Sequence, residues 1–287
     1  MRPPFTGEDA ILEILSTLDS WVTQPLTVYP IGGTAMTASG FRDQTDDIDL
    51  VLSIESDFDH LATTLRDHGF NERDTTAQEF PTAHDSLHLT SPDHEYKVDI
   101  FETQIVGRAR LTDEIKSRAT GLWSGTNITA ELPANEDIFL FKAIAAGDYT
   151  RNRTTDLDDL RALLQTGLNH EDVIDEIHNQ LPFNTGALEA DHIENNRHPI
   201  QNIQRAFRTI SGLPPSLTDP VDDLARDIEL EYYVLQAIRQ ESSAEDIISR
   251  DMQTNIPDDL DGEIQHARDR LHEKAIIDKS TNTLRIN

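Results

Sequence analysis

The chain has 287 residues and carries 24 basic against 53 acidic side chains, which gives a formal net charge of −29. This length suits one large domain or two to three smaller ones. Hydrophobic residues make up 37% of the chain, enough for ordinary cores, which excludes a disordered polyacid. The absence of cysteine excludes disulfides, thiolate chemistry and a cysteine-based zinc site.

The acidic residues are spread along the whole chain, and arginine outnumbers lysine by 19 to 5. Such a surplus is typical of a halophilic protein, because at molar salt the Debye length falls to about 3 Å and a hydrated acidic surface stays soluble. The alternative is an acidic mimic of nucleic acid, which would concentrate the charge on one face. If the acidity is an adaptation to high salt, it says nothing about binding partners, so the low pI does not exclude a nucleic acid as partner.

No stretch approaches the ~20 consecutive apolar residues of a membrane span. The N-terminal stretch MRPPFTGEDAILEIL lacks the apolar centre of a signal peptide. We therefore expect a cytoplasmic location and no membrane partner.

Apolar residues at helical spacing predict a first helix over residues 8–21. The stretch 26–33, LTVYPIGG, predicts a short strand that enters a glycine turn, and the short helix after it ends near Gly40. A strand over IDLVLSI, an amphipathic helix over 58–70 and a hairpin of SLHLT and YKVDIFE follow. This order predicts an α/β (α+β) core with a small mixed sheet.

Helices are the main elements predicted after the hairpin, and after Asn169 the chain shows no strand signal until its last residues. Helices are expected at LTDEIKSRAT, at 134–148 and from Thr155 or Asp156 to Gly167, and the Pro-containing stretch 210–220 is expected to be a linker. We therefore predict three parts: an α/β domain over residues 1–168, a helical region with a linker over 169–220, and a C-terminal helical or winged-helix domain over 221–287.

Two glycines and two carboxylates mark residues 31–52, IGGTAMTASGFRDQTDDIDLVL. On a strand, Asp47 and Asp49 lie on one face, roughly 6 to 7 Å apart, while Leu50 points to the other face. Burying charge is costly without a partner, and two carboxylates can share a hard divalent cation. Asp99 in YKVDIFE supplies a third carboxylate, and three together can hold two metal ions for displacement at phosphorus.

Gly32 and Gly33 allow backbone N–H groups to approach a phosphate, at the positive end of the helix that follows. Each feature has a simpler explanation: a glycine pair is often only a turn, a DxD sequence can be a solvated edge, and a single strand Asp is often on the surface. It is the conjunction of all of them, in this order, that favours a site.

The order Gly-Gly, short helix, Asp-x-Asp and later a lone strand Asp resembles the signature of the DNA polymerase β-type nucleotidyltransferase superfamily. GGTAMTASGFRDQTDDIDLVL is most similar to its toxin-like, abortive-infection-type members and to related uncharacterised archaeal proteins. The match spans about residues 26–165. The resemblance implies Mg²⁺ (or Mn²⁺) as cofactor and an NTP such as ATP as substrate. It also implies roles for single residues: Asp47, Asp49 and Asp99 for metal binding and catalysis, and Gly32, Gly33, Thr34, Lys142 and Asp156 for nucleotide binding.

Lys142 is one of only five lysines and lies in the middle of the apolar helix EDIFLFKAIAAGD. Relatives have a helix with a central Lys and then a helix that begins with Asp, and these match Lys142 and Asp156. Two roles stay open: the ammonium binds triphosphate as a point charge, or it extends from a core helix and pairs with Asp156. Arg151 and Arg153 are weaker candidates for phosphate or acceptor contact.

The C-terminal stretches IELEYYVLQAIRQ, SSAEDIISRDM and EIQHARDRLHEKAIID resemble the helices of a winged helix, with residues 276–287 as the wing. The alternative is a purely structural helical bundle.

Two function classes follow. The first is a metal-dependent enzyme that transfers NMP from an NTP to a hydroxyl of RNA (tRNA) or protein, as a toxin-like component of a toxin–antitoxin or defence system with a cognate antitoxin. The second is a non-catalytic antitoxin or DNA-binding regulator built on the same fold.

Overall fold

The computed structural model describes residues 5–73, 86–93, 96–105, 109–148, 154–181, 198–252 and 257–273. The helices are α1 Gly7–Trp21, α2 Gly32–Ala38, α3 Glu55–Asp67, α4 Asp113–Arg118, α5 Asn135–Ala146, α6 Thr154–Leu164, α7 His170–Gln180, α8 Pro199–Thr209, α9 Pro215–Gln240, α10 Ala244–Asp251 and α11 Leu260–Glu273. The strands are β1 Phe5–Thr6, β2 Leu26–Pro30, β3 Gln44–Thr45, β4 Asp47–Leu52, β5 Asn71–Glu72, β6 Ser86–Thr90, β7 Lys97–Glu102, β8 Gln104–Ile105, β9 Ala109–Arg110, β10 Thr120–Ser124 and β11 Ile128–Leu132. The chain is therefore of the mixed α/β class.

Seven of the strands form one mixed sheet in the order β10-β11-β2-β4-β7-β6-β5. Strand β4 runs antiparallel to β2 and parallel to β7, so it lies in the middle of the sheet. Strands β6 and β7 are antiparallel neighbours, as the sequence predicts for a hairpin. The remaining strands pair in two small ladders, β1 with β3 and β8 with β9.

One face of the sheet is covered by α1 and α3. Strand alternation directs Ile48, Leu50 and Leu52 to this face, where they join Leu15 of α1 and Leu65 of α3 in one hydrophobic cluster. All five are at most 1% exposed. Because β4 places its aliphatic residues on this side, its carboxylates project from the opposite face.

The opposite face carries a second and larger hydrophobic cluster. Val51 of β4 and Phe101 of β7 pack there with the apolar residues of α5, such as Phe139. The same cluster continues through α8 and α9 to Leu271 of α11. The N-terminal sheet and the C-terminal helices thus share one continuous core, and the three-part division of the chain stays a prediction.

The sheet is larger than the sequence predicts, because the hairpin β10–β11 adds two strands at its edge. The stretch Thr120–Leu132 contains a Ser-Gly turn, and the pairing of its strands is interrupted by an irregularity between Gly121 and Trp123. Strand β11 lies parallel to β2. Short, irregular strands show little alternation of apolar and polar residues, so the sequence did not indicate β10 and β11, which form through their pairing with each other and with β2.

Residues 215–220, expected to belong to a linker, form the first turns of the 26-residue helix α9. Pro215 occupies the first helical position, where proline is tolerated because its missing N–H would have no partner there. Pro220 lies in the second turn. The connection between α8 and α9 is therefore shorter than the sequence predicts.

Three of the predicted C-terminal elements are present as α9, α10 and α11, and Ser243 caps α10 by accepting a hydrogen bond from the Asp246 N–H at 3.4 Å. The predicted wing at 276–287 lies outside the described residues. The winged helix is therefore not confirmed. Among the residues that the structure describes, no helix is both long and apolar enough to cross a membrane.

Candidate functional site

Three carboxylates converge at the start of β4 and in β7. Asp49 is paired in register with Asp99 of the parallel strand β7, and Asp47 lies two residues before Asp49 on the same face. One oxygen of each carboxylate lies within 4.8 Å of the others. Asp99 is buried, whereas Asp47 and Asp49 are half-buried at the edge of a cavity. We call these three residues the carboxylate triad.

The donor set of the triad fits a divalent cation. Opposite oxygen ligands of an octahedral Mg²⁺ lie about 4.2 Å apart, since each Mg–O distance is about 2.1 Å. The triad oxygens lie at most 4.8 Å from one another, so the carboxylates need to move only slightly closer together to bind one ion. Carboxylate oxygens are also the ligands that hard cations such as Mg²⁺ and Mn²⁺ prefer.

Two threonines fix the start of β4. The hydroxyl of Thr34 accepts a hydrogen bond from the Asp49 N–H at 2.8 Å, and it lies 3.3 Å from the Asp47 carbonyl oxygen, to which it donates. The Thr45 hydroxyl lies 3.2 Å from both the carbonyl oxygen and Oδ1 of Asp47. Thr34 is fully buried and its hydroxyl bonds to the strand that carries the triad, while its contact with a nucleotide stays a prediction.

Gly32 and Gly33 begin α2 directly beside the triad. Gly32 has a φ of +57°, and a Cβ there would lie 3.2 Å from Asp49 Cγ and clash with the carboxylate oxygen. A Cβ on Gly33 would clash with the Thr45 hydroxyl and lie 3.1 Å from Arg42 Nη1. Gly32 thus allows the backbone to approach Asp49 closely, and Gly33 allows it to approach Thr45 and Arg42. The contact of either glycine with a nucleotide stays a prediction.

Lys142 of α5 lies within a buried group of charges. Its Nζ is 2.8 Å from Asp156 Oδ1 and 2.8 Å from Asp159 Oδ2, and all three side chains are at most 7% exposed. Arg42 approaches Asp159 from the other side, with Nη2 2.7 Å from Oδ2 and Nε 3.3 Å from Oδ1. The contact of Lys142 with Asp156 is one of the two roles that the sequence leaves open, whereas the contacts with Arg42 and Asp159 were not predicted.

Asp99 has two basic neighbours that the sequence analysis missed. The guanidinium of Arg73 forms an ion pair with Oδ1, and the ring Nδ1 of His88 lies 3.2 Å from Oδ2. His88 is paired in register with Asp99 across the β6–β7 ladder, and Arg73 donates its backbone N–H to the His88 carbonyl oxygen at 2.9 Å. Strand β6 and the residue after β5 therefore place His88 and the guanidinium of Arg73 beside Asp99.

One cavity of about 420 Å³ connects these groups. Its charged wall contains the triad, the two glycines, Arg42 and Lys142. Phe101, Ile105, Phe141 and Ile144 form the apolar part of its lining. The predicted candidates Arg151 and Arg153 lie outside the described residues.

A second buried charged group lies at the N-terminal end of α5. Arg118 contacts Asp137 Oδ1 at 2.5 Å and Glu176 Oε2 at 2.8 Å, and Thr112 donates to Glu176 Oε1 at 2.9 Å. Desolvation raises the pKa of Asp137 to about 6, although Arg118 opposes the shift. One guanidinium shared between two fully buried carboxylates leaves an excess negative charge, which also favours a raised pKa of Asp137. This group joins α4, α5 and α7 and does not line the cavity.

No family model and no curated protein matches the chain. Among solved structures, the chain is similar to the antibiotic-resistance factor ANT(2'')-Ia, at 16% identity over 65% of this chain and 97% of that one, with a TM-score of 0.43. It is also similar to an antigenic nucleotidyltransferase-like protein from Paracoccidioides brasiliensis, at 16% identity over 77% and 95% of the chains, with a TM-score of 0.38. A third similar structure is JHP933 from Helicobacter pylori, at 14% identity over 79% and 96%, with a TM-score of 0.34.

Proposed function

We propose that the chain is a metal-dependent nucleotidyltransferase that transfers NMP from an NTP to a hydroxyl group of RNA, such as a tRNA, or of a protein. We further propose a toxin-like role in a toxin–antitoxin or defence system. The single observation that carries the enzymatic part is the carboxylate triad at the wall of a cavity that also contains two glycines and a buried lysine.

The proposed roles follow from the position of each group. Asp47 and Asp49 would hold Mg²⁺ or Mn²⁺ at the open edge of the cavity, and Asp99 would complete the metal site. When bound, the metal supplies positive charge that neutralises phosphate oxygens and favours in-line displacement. The acceptor oxygen attacks the α-phosphorus, the bond to the β,γ-pyrophosphate breaks, and Asp99 helps to remove the hydroxyl proton.

The phosphates would lie along the charged wall between the triad and Lys142. In this arrangement the backbone at Gly32 and Gly33 faces the triphosphate, since neither residue has a side chain between the backbone and the cavity. Lys142 would exchange part of its contact with Asp156 for a phosphate oxygen. The apolar residues of the cavity lining would then limit the access of water to the reacting groups.

Arg270 gives a reason to prefer the enzyme over a DNA-binding regulator. Its Nε donates to Glu231 Oε1 at 2.8 Å, and its Nη2 lies 3.4 Å from Asp227 Oδ1. The side chain thus points into the contact between α9 and α11. This arginine of α11 is in this way paired with carboxylates of α9, which weakens the case for DNA contact through α11, because phosphate contact needs available Lys and Arg side chains.

Labelling with each α-³²P NTP in turn tests the proposal, in molar KCl with Mg²⁺ and either total RNA or total protein. We expect one acceptor class to become labelled, Asp49→Asn to abolish the labelling, and Asp67→Asn to leave it unchanged. Asp67 is a matched control because it is an exposed carboxylate at the end of α3. Absence of label with all four NTPs and both acceptor classes would refute the enzyme and favour the non-catalytic alternative.

The same pair of variants tests the metal site without activity. Removing one of three clustered negative charges relieves repulsion, so in EDTA Asp49→Asn should unfold at the same temperature as wild type or slightly higher. Mg²⁺ should raise the melting temperature of wild type and of Asp67→Asn but not that of Asp49→Asn. A variant that unfolds clearly earlier than wild type in EDTA would contradict the repulsion argument.

A further inference from the structure

Strand β1 is paired with strand β3 over two residues, and the first pair joins Phe5 to Thr45. The Gly7 N–H extends this ladder by donating to the Asp43 carbonyl oxygen at 2.9 Å. The φ of +73° at Gly7 then lets the chain turn from β1 into α1. We call residues 5–7 the strap, because this segment pairs with the stretch of chain between α2 and β4.

Thr45 connects the strap to the triad. It is only 3% exposed, and its hydroxyl lies 3.2 Å from both the carbonyl oxygen and Oδ1 of Asp47. A Cβ on Gly33 would clash with the same hydroxyl, so the Thr45 side chain fills the space between the start of α2 and Asp47. The position of the Asp47 carboxylate therefore depends on the position of Thr45, and the pairing with Phe5 fixes Thr45.

The ring of Phe5 attaches the strap to the beginning of β7. Phe5 and Tyr96 meet edge to face, with ring centroids 5.3 Å apart, and Tyr96 directly precedes β7, the strand of Asp99. Phe5 also packs against the hydrophobic cluster on the α1 side of the sheet. A two-residue ladder is marginally stable alone, so we expect these contacts of the Phe5 ring to hold the strap in place.

We propose that the strap is a positioning element of the triad: it sets the position of the Asp47 carboxylate through Thr45, so that releasing the strap weakens cation binding while the core stays folded. This inference rests on the proposed function, because it gives a segment outside the cavity a role in the same site. Residues 5–7 do not line the cavity, whereas Thr45 does. The strap therefore acts through Thr45 and not by touching a ligand.

Substitutions at Thr45 and Phe5 separate the two steps of this coupling. Loss of a group that orients a metal ligand lowers metal affinity by about 10- to 100-fold, so Thr45→Val should bind Mn²⁺ at least about tenfold more weakly than wild type. Thr45→Ser keeps the hydroxyl and should bind Mn²⁺ nearly as wild type does. Phe5→Ala releases the strap and should weaken binding by no more than Thr45→Val. Because both changes act on one contact, the double variant should bind Mn²⁺ as Thr45→Val alone does.

Phe58→Ala is the matched control for Phe5→Ala. Both phenylalanines are half-buried and pack against the same hydrophobic cluster, but Phe58 lies in α3, on the face of the sheet opposite the triad. Phe58→Ala should therefore lower the melting temperature in EDTA without changing Mn²⁺ affinity. This comparison separates a positioning role of Phe5 from a general loss of packing.

The experiment is a Mn²⁺ titration followed by electron paramagnetic resonance in molar KCl, with thermal melting in EDTA to show that each variant is folded. The inference would be overturned if Phe5→Ala bound Mn²⁺ as tightly as Phe58→Ala, or Thr45→Val as tightly as Thr45→Ser. Additive losses of affinity in the double variant would also overturn it, because the strap would then act by a route other than Thr45.

Hydrogen exchange of the wild type tests the coupling without any substitution. By linkage, a cation that binds better when the strap is attached must stabilise the attached strap by the same factor. Saturating Mg²⁺ should therefore slow the exchange of the Gly7 N–H relative to EDTA. The Gly125 N–H, which donates to the Ile128 carbonyl oxygen at 2.9 Å in the β10–β11 hairpin, should exchange at an unchanged rate. Exchange at Gly7 that does not respond to Mg²⁺ would overturn the inference even where a variant does not fold.

Failure of the proposed function would give a different result. If wild type binds no more Mn²⁺ than Asp49→Asn does, the triad is not a metal site and the proposed function itself is refuted. If wild type binds Mn²⁺ more tightly than Asp49→Asn while the strap variants behave as their controls do, only the inference about the strap fails.

Discussion

Replacing Lys142 with alanine removes the ammonium that two buried carboxylates share. Nζ lies 2.8 Å from an oxygen of Asp156 and 2.8 Å from an oxygen of Asp159. The three side chains are only 6% to 7% exposed, so water replaces the lost contacts only in part. Because the pair joins α5 to α6, the effect should appear in folding stability as well as in nucleotide binding.

The size of the effect follows from the burial. Removing one partner of a buried ion pair costs about 3 to 5 kcal/mol, because the other charge stays buried without compensation. Asp159 keeps its contacts with Arg42, so the loss falls mainly on Asp156. We therefore expect Lys142→Ala to lower the free energy of unfolding by about 3 kcal/mol, a large share of the ~5 to 15 kcal/mol of a typical domain. Loss of one charge-assisted phosphate contact would cost about 1.5 to 3 kcal/mol in nucleotide affinity.

The assay is equilibrium urea unfolding followed by circular dichroism in molar KCl. Lys116→Ala is the matched control, since Lys116 pairs with Asp113 at 2.6 Å on the surface, where the partner is 90% exposed. Exposed pairs contribute about 0 to 1 kcal/mol, so the control should be nearly silent. The double variant Lys142→Met with Asp156→Leu should recover most of the stability but not the nucleotide affinity. Equal losses for Lys142→Ala and Lys116→Ala would refute the reasoning.

Three further predictions concern the core and the surface. Gly147→Ala should destabilise the fold strongly, because a Cβ there would lie 2.7 Å from the Asn202 Cα and clash with the Asn202 carbonyl group. At Gly167 a Cβ would meet no atom within 4 Å, so Gly167→Ala should show only the smaller cost of the φ of +78°. Thermal melting of the two variants measures the difference. The pKa of Asp137 is raised to about 6 in the folded protein, so the protonated carboxyl stabilises the fold at acid pH. The free energy of unfolding of the wild type should therefore fall by up to about 3 kcal/mol as the pH rises from 4 to 6.5. Asp137→Asn should lack this contribution to the pH dependence. A flat difference between these two proteins over that range would contradict the shift. The chain, with its net charge of −29, should melt at a lower temperature as KCl is reduced below about 1 M, because the repulsion between its charges is then less screened. A melting temperature that stays the same from dilute buffer to saturated salt would favour the acidic-mimic alternative.

Local rules were sufficient to predict that Asp47 and Asp49 share a face, because alternation along a strand is independent of the rest of the fold. They could not predict that Asp49 would pair in register with Asp99, since this depends on β7 entering the sheet beside β4. The conjunction of motifs, and the family that they resemble, supplied that expectation. The pairing of Lys142 with Asp156 was one of two roles that the sequence left open for this lysine, and the structure contains this contact.

The residues that were missed act across long separations in the sequence. Arg42 reaches Asp159, which is 117 residues away, and Arg73 reaches Asp99, 26 residues away. In a chain with 53 acidic residues, nothing local identifies which acid an arginine will contact. Asp159 carried one usable signal: it follows Asp156 by three residues on a helix, so both face α5 together.

The acidic residues fall into two groups that should respond differently to salt. One group is buried beside lysine or arginine, as Asp156 and Asp159 are beside Lys142, and salt screens such pairs little. The other group is exposed, as Asp67 is, and contributes to the repulsion that molar salt suppresses. We therefore expect Asp67→Asn to reduce the dependence of the melting temperature on KCl slightly, and Lys142→Ala to lower the melting temperature by a similar amount at every KCl concentration. If Lys142→Ala were instead rescued by high salt, the charges around Lys142 would have to be accessible to solvent ions, and the assignment of a buried cation to this wall of the cavity would fail.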